Sequence, residues 1–228
     1  MKKAILSTLI LLVAVSLGYA NKSKEYKFTH DVLQSLHSLD LAKRQLRTET
    51  EDVSEGMKSY TLAKENLSAG KSLMQEYMSD SQKKIAEIAA NIANAFDRLI
   101  WASDEWLALA KRQQAGEAVD ETEEFYDKGK EVGKQEDWAY KLIAITIPTY
   151  LPDIFAEDVK VKNPKAKIRY KLSKTERKKL ISEIDSVFAD ELKAYYRDPK
   201  EGNEISYSVD YLKKRLKAET YGDLKKIQ

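Results

Sequence analysis

The residue types that most often carry catalysis are scarce in this chain. Its two histidines, His30 and His37, stand seven residues apart, which on a helix is two turns, or about 10.5 Å along the axis. That separation is too large for both imidazoles to bind one metal ion directly. The chain has no cysteine and no Gly-x-Ser-x-Gly motif, which excludes a thiolate nucleophile and a serine on a nucleophile elbow. The sequence therefore identifies no catalytic residue, no metal ligand and no cofactor site.

Two acidic segments contain the oxygen ligands that calcium prefers, but neither has the spacing of a calcium-binding loop. The first is the run of carboxylates between Glu117 and Asp127, and the second is the loop 198–204, where Lys200 stands at the place of a third ligand. We interpret the run as the start of a helix, where carboxylates interact favourably with the positive end of the helix dipole. We interpret the loop as an ordinary polar connection.

Positive charge is concentrated in the C-terminal third. Between Lys160 and Lys179, ten Lys and Arg residues accompany one acid, Glu176. Alternate side chains of an extended hairpin share one face, so this segment predicts a landing patch for lipid or lipopolysaccharide phosphates or for an acidic partner. Two alternatives to a binding role stay open. The lysines would discourage an exposed strand from pairing with another strand edge, or the acidic stretch 117–137 would neutralise the patch within the protein. The candidate residues are Lys160, Lys162, Lys165, Lys167, Arg169 and Lys171.

A second set of candidates is apolar. Trp101 follows Ile100 on a predicted helix, and Tyr150, Leu151, Ile154 and Phe155 lie in a connection that is unusually rich in apolar residues. If exposed, they would form a contact surface for a ligand or partner, because aromatic residues are favoured in such contacts. Packing into the core is the alternative, since both groups neighbour the most apolar helices.

The N-terminus has the pattern of a secretory signal peptide. Met1-Lys2-Lys3 precedes an apolar run, 4–17, and Gly18-Tyr19-Ala20 places small residues at −3 and −1 of a cleavage site. The run is shorter than the roughly 20 residues of a membrane-spanning helix. We therefore expect cleavage after Ala20 and export to the periplasm or the medium.

Loss of the signal peptide also changes the charge. The chain has 39 basic and 37 acidic residues, and removing Lys2 and Lys3 leaves 37 of each. A neutral mature protein gives no reason to expect nucleic acid or an anionic membrane as a partner of the whole molecule, so attraction to an anionic surface would have to come from a local patch.

Periodic apolar residues predict a helical body over residues 21–155. Apolar residues recur at every seventh position from Val32 to Met74, which favours one long, bent helix from about Thr29 to Met78 with a coiled-coil-like seam. A hairpin that breaks near 47–56 stays open, because that stretch is polar and contains Gly56. A central helix is expected over 82–114, since its apolar arc is wide enough to contact at least two neighbours.

A further helix is expected to follow the acidic stretch. Its second half, 138–147, is almost wholly apolar and should be buried, and Pro148 and Pro152 should end it ahead of an irregular connection, 148–155.

The C-terminal part has a different pattern. Apolar and basic residues alternate on both sides of Asn163-Pro164, from Val159 to Leu172, which predicts a short β-hairpin. Ser173 and Glu176 form a capping box that begins a helix over 174–197, and a last helix is expected over 209–218.

The predicted fold is mainly all-α: a long-helix bundle around helix 82–114, with a small C-terminal part that carries a β-hairpin and two helices. We divide the chain into a signal peptide (1–20), a helical bundle (21–155) and a basic C-terminal segment (156–228) packed on or beside the bundle.

These features favour an exported, non-enzymatic protein that binds an unidentified protein or small ligand, such as a periplasmic accessory, adaptor or sensor-like module. The alternative is an exported hydrolase-type enzyme whose acids and tyrosines assemble only in the fold. A pocket with two or more buried carboxylates of raised pKa would favour the enzyme. A shallow apolar groove along the helices would favour the binding protein.

Overall fold

The computed structural model of the protein describes residues 23–46, 52–118, 122–157, 163–198 and 203–227. The predicted signal peptide, with its cleavage site at Ala20, lies outside these residues. The described chain is mostly helical, which confirms the all-α fold. Its helices are α1 (Lys24–Leu46), α2 (Val53–Gln75), α3 (Lys83–Gln114), α4 (Glu123–Tyr150), α5 (Pro152–Phe155), α6 (Lys174–Val187), α7 (Ala189–Arg197), α8 (Glu204–Lys217) and α9 (Tyr221–Leu224).

The first two helices form an antiparallel hairpin, so the prediction of one continuous helix over 29–78 is wrong. Phe28, near the start of α1, packs edge-on against Tyr77, just beyond the end of α2, with ring centroids 4.9 Å apart. The seven-residue pattern continues through the hairpin because Leu46, the last residue of α1, and Val53, the first of α2, are themselves seven residues apart. Heptad spacing therefore could not separate the two alternatives.

The long helices α1 to α4 alternate in direction, with α3 in the position that the sequence predicts. Lys71 near the end of α2 pairs with Asp97 in α3 at 2.5 Å, and Lys128 near the start of α4 pairs with Glu105 at 2.7 Å. The inner face of α3 is buried between α2 and α4, as its wide apolar arc requires.

The prolines around residue 150 do not act as predicted. Pro148 lies inside the last turn of α4, and Pro152 begins the short helix α5, so an ordered helical turn replaces the expected irregular connection. Proline is well suited to the first position of a helix because that residue has no intrahelical use for its N–H group.

The alternating segment from Val159 to Leu172 does not form the predicted β-hairpin over its described part, and the described residues contain no β-strand. Isolated antiparallel bridges instead join Lys167 to Thr220 on one side and Tyr170 to Ala156 on the other. Residues 167–170 therefore lie between two parts of the chain, namely Ala156, which follows α5, and Thr220, in the link between α8 and α9. Val159 and Val161, which belong to the predicted hairpin, lie outside the described residues.

The predicted helix 174–197 is interrupted at Phe188. Its backbone (φ −109°, ψ 25°) separates α6 from α7, and its side chain is fully buried, edge-on to His37. The capping box of Ser173 and Glu176 is present as predicted. The last long helix, α8, begins at Glu204 rather than near 209, because Asn203 caps it through the amides of Ile205 and Ser206.

One carboxylate joins the starts of α1 and α6. Glu176 Oε2 accepts hydrogen bonds from the backbone and hydroxyl of Ser173, and its Oε1 accepts the backbone and hydroxyl of Ser23, which precedes α1. Burial raises the pKa of Glu176, but these hydrogen bonds outweigh it and hold the pKa at about 2.

A single hydrophobic core joins the four long helices to the C-terminal elements. The helix α8 packs against α4 and α6 and also contacts α1. Fully buried members of this core come from both parts of the chain: Leu36, Ile92, Ile143, Leu180 and Leu212.

Candidate functional site

The apolar candidates from the sequence separate into buried and accessible residues. Leu151, Ile154 and Phe155 belong to the core, which agrees with the packing alternative and removes them from any accessible surface. Tyr150 stays 47% exposed, and Trp101 is half-buried on α3. Both of these aromatic residues line depressions in the surface.

Two depressions lie on the outer surface of α3 and α4, and we call the surface that contains both of them the α3–α4 groove. A depression of about 370 Å³ contains Trp101 and Asn94, and another of about 550 Å³ contains Tyr150 and Asn91. Asn91 and Asn94 are neighbours one turn apart on α3, so the two depressions lie along one line. The α3 wall is a row at helical spacing: Lys84, Glu87, Asn91, Asn94, Arg98 and Trp101.

The middle of the groove is held by a stacked tryptophan. The Arg98 guanidinium lies over the Trp138 ring, 3.9 Å from its centroid, and donates a hydrogen bond to Gln135 Oε1. Gln135 Nε2 in turn donates to Glu131 Oε1 at 2.7 Å. Since the guanidinium is held at its face by Trp138 and at its edge by Gln135, Arg98 is a preorganised part of the wall, with Trp138 beside the depression.

Beside the groove, α4 exposes apolar side chains that the sequence pattern predicts to lie in the core. Within the segment 138–147, Trp138 is 39% exposed and Ile145 is 56% exposed, so the expectation that this half of α4 is buried is wrong for its outer face. Leu142 lies between them on the same face and is half-buried. The spacing 138, 142, 145 forms one apolar stripe on α4, next to the row on α3.

Four charged groups of the groove form ion pairs, whereas Arg98 and Glu131 form none with the described residues. Lys84 Nζ lies 2.6 Å from Asp153 at the Tyr150 end, and Asp97 pairs with Lys71 at the Trp101 end. Glu87 lies 3.7 Å from Lys83. The groups available for contact are Trp101, Tyr150, Glu131 and the side-chain amides in the groove, with Trp138 and Ile145 beside it.

The basic candidates lie on the C-terminal part of the molecule. Lys165, Lys167, Arg169 and Lys171 are all exposed, and we call these four residues the basic row. Lys160 and Lys162 lie outside the described residues.

The acidic stretch 117–137 does not neutralise the basic row within the described chain. Its ion pairs connect to α3 or stay within α4: Glu117 and Glu124 pair with Arg112, and Asp137 pairs with Lys141. The edge-blocking alternative also loses its basis, because residues 167–171 are bridged on both sides rather than along one free edge.

Two carboxyl groups with raised pKa values lie away from the groove. Burial raises the pKa of Asp40, and the neighbouring Glu191 raises it further. Burial also raises the pKa of Glu136, against the opposing effect of Lys43. Neither residue lines the depressions in the α3–α4 groove.

Neither a metal site nor a known relative adds to this description. Over the part of the chain that the structure describes, no three or more His, Asp or Glu residues are grouped so as to hold a metal ion. None of the described helices has the length and apolar character needed to cross a membrane. No protein-family model, curated protein or solved structure matches this chain.

Proposed function

We propose that this is an exported, non-enzymatic binding protein whose α3–α4 groove receives an amphipathic helix of a partner protein. The apolar stripe on α4 carries this proposal. A soluble helix normally turns such a stripe toward the core, and large exposed apolar residues beside a groove are typical of interaction sites. Here, Trp138 and Ile145 face outward although the opposite side of the same helix already fills the core with Ile143 and Ile147.

The length and walls of the groove fit a helix. Lys84 to Trp101 is eighteen residues of α3, and the rises between them, at about 1.5 Å each, give about 25 Å, which equals about five turns of a bound helix. Two antiparallel helices form a straight channel into which the side-chain ridge of a third helix packs. The α4 stripe would contact apolar residues of the partner at i, i+4 and i+7.

The polar wall on α3 would contact the other edge of the partner helix. The amides of Asn91 and Asn94 donate and accept hydrogen bonds, so they suit uncharged polar side chains. Since Lys84, Glu87, Asp97 and Asp153 are paired within the protein, and the remaining Arg98 and Glu131 are of opposite charge, we expect affinity to depend only weakly on salt.

The enzyme alternative has less support. An active site would need titratable groups gathered in a pocket, whereas Asp40 and Glu136 lie outside both depressions of the groove. Export to the periplasm or the medium is supported by the signal-peptide pattern of residues 1–20.

Site-specific photo-crosslinking in the native cell tests the proposed partner. A photoreactive amino acid would replace Ile145 in the groove or, as a matched control, Leu62, which is 46% exposed on α2. We expect a discrete adduct from position 145 and none from position 62, with the crosslinked peptide lying in a helix of another protein. The variant Ile145→Asp should reduce binding to that protein at least tenfold, as at an interface hot spot, while Leu62→Asp leaves it unchanged.

Three results would contradict the proposal. The first is an equal yield of adducts from positions 145 and 62. The second is an adduct with twice the mass of this chain, which would show self-association. The third is a crosslink to a segment of the partner that is not helical.

A further inference from the structure

The basic row is a fixed feature of the surface. Backbone hydrogen bonds hold its extended segment on both sides: Ile168 N donates to Glu219 O at 3.0 Å, and Lys171 N donates to Phe155 O at 2.9 Å. The preceding turn is fixed to α9, because Gly222 N donates to Pro164 O at 2.7 Å.

The side chains of the row are sorted by alternation. Ile168 and Leu172 are buried and Tyr170 is half-buried against Phe155, which leaves Lys167, Arg169 and Lys171 on the outer side. These three cations span about 13 Å of extended chain, since alternate residues are about 6.6 Å apart. Lys165 adds a fourth exposed cation in the turn before them.

The charge of the row is largely uncompensated. Lys165 and Lys167 form no ion pair with any other described residue, and Arg169 has only a long contact of 3.9 Å with Glu157. Lys171 Nζ donates to the backbone oxygen of Asp153, whose carboxylate is taken by Lys84. Nearby Glu219 is used by the buried Arg177. Four cations therefore face solvent, with Glu157 loosely paired to one of them and Glu219 nearby but paired with Arg177.

We propose that the basic row docks the protein onto an anionic phospholipid surface. A flat row of exposed lysines and arginine binds such a surface by its field, and each cation near the membrane strengthens binding about fivefold. The contact of Lys171 with Asp153 places the row beside the Tyr150 end of the α3–α4 groove, where an exposed tyrosine suits the membrane–water interface.

Docking in this way would use the Tyr150 end of the groove and leave the end at Trp101 accessible. The apolar stripe of Trp138 and Ile145 lies further along α4, away from Asp153. The membrane proposal depends on the row alone and does not require the proposed helical partner.

Vesicle flotation of the purified protein tests the docking proposal. The probes are vesicles of phosphatidylcholine alone and vesicles of phosphatidylcholine and phosphatidylglycerol in equal parts, at low and at high salt. We expect binding only to the anionic vesicles and only at low salt, because salt screens the field of exposed charges. Changing all four residues of the row to Gln should reduce the affinity several-hundredfold, at about fivefold per cation.

A charge-matched variant controls for net charge. Lys58, Lys111, Lys134 and Lys193 are exposed elsewhere and form no ion pair with the described residues, so changing all four to Gln alters the net charge equally. We expect this variant to keep most of its vesicle binding and both variants to melt close to the unchanged protein, since exposed charges contribute little to stability.

The proposal is overturned if the unchanged protein ignores anionic vesicles at low salt, or if both quadruple variants lose affinity equally. Retention on a heparin column without vesicle binding would also overturn it, since the row would then recognise a soluble polyanion.

Discussion

One glycine determines how closely α1, α2 and α3 approach one another. A Cβ atom added to Gly70 in α2 would lie 2.7 Å from Cζ and 2.8 Å from Cε1 of Phe96, and 3.1 Å from Cβ of Ser38. Real Cβ contacts are longer than 3.0 Å, so the ring would have to move. Phe96 is itself fully buried, which means that its ring has no open space to enter.

Two opposing effects set the result of Gly70→Ala. Alanine is favoured over glycine in a helix by about 1 kcal/mol, whereas overpacking a core costs about 1–3 kcal/mol. We therefore expect the free energy of unfolding to fall by about 1 kcal/mol. Gly133→Ala is the matched control, because Gly133 is in α4 and nothing lies within 4 Å of its added Cβ. That variant should gain about 0.5–1 kcal/mol.

Urea denaturation followed by circular dichroism measures both changes, with an unchanged slope as evidence that the same fold unfolds. Combining Gly70→Ala with Phe96→Leu removes the ring that is struck, so the double variant should lose less than the sum of the single losses. The reasoning fails if Gly70→Ala stabilises the protein as much as Gly133→Ala does, or if the two losses simply add.

Two further predictions concern pH and export. Because Glu176 has a pKa of about 2 in the folded protein and about 4.5 when unfolded, its ionised form contributes stability above pH 4.5 that is lost as pH falls toward 2. When the free energy of unfolding is measured by urea denaturation at several pH values, the Glu176→Gln variant should lose less stability between pH 4.5 and pH 2 than the unchanged protein. An equal loss in both proteins would contradict the role assigned to the Ser23 and Ser173 hydrogen bonds. If Ala20 ends a signal peptide, mass spectrometry of the accumulated protein should find Asn21 at its N-terminus, and a retained Met1 or Lys2 would instead indicate an anchor.

Helices whose ends are encoded locally could be predicted from the sequence. The bounds of α3 agree within one residue with the expected helix 82–114, and α6 begins where the capping box of Ser173 and Glu176 requires. Both signals depend on residues within a few positions of one another, so no tertiary information is needed to interpret them.

Features that depend on distant residues could not be predicted in the same way. The break at Phe188 arises where its ring enters the core beside His37, more than one hundred residues earlier in the chain. The basic segment alternates as a strand does, and Ile168 and Leu172 are buried. Its neighbour on one side is nevertheless the chain around Thr220, which local spacing does not indicate.

Only part of the candidate site was accessible to sequence reasoning. Trp101 and Tyr150 were singled out as aromatic residues beside apolar helices, and each lines one depression of the groove. The apolar composition of the segment 138–147 predicts burial, and it therefore does not identify Trp138 and Ile145 as exposed residues.

The composition of the segment 138–147 nevertheless contained a usable signal. Lys141 is its only charged residue, so apolar side chains project from nearly every side of this part of α4. The protein's own core covers one side, where Ala139, Ile143 and Ile147 are fully buried. A helix that is apolar on nearly every side leaves some apolar residues exposed once one side is covered, and in this fold these are Trp138 and Ile145, beside the α3–α4 groove. An excess of apolar residues over what one core face can bury therefore predicts an exposed apolar surface more specifically than the presence of any single aromatic residue.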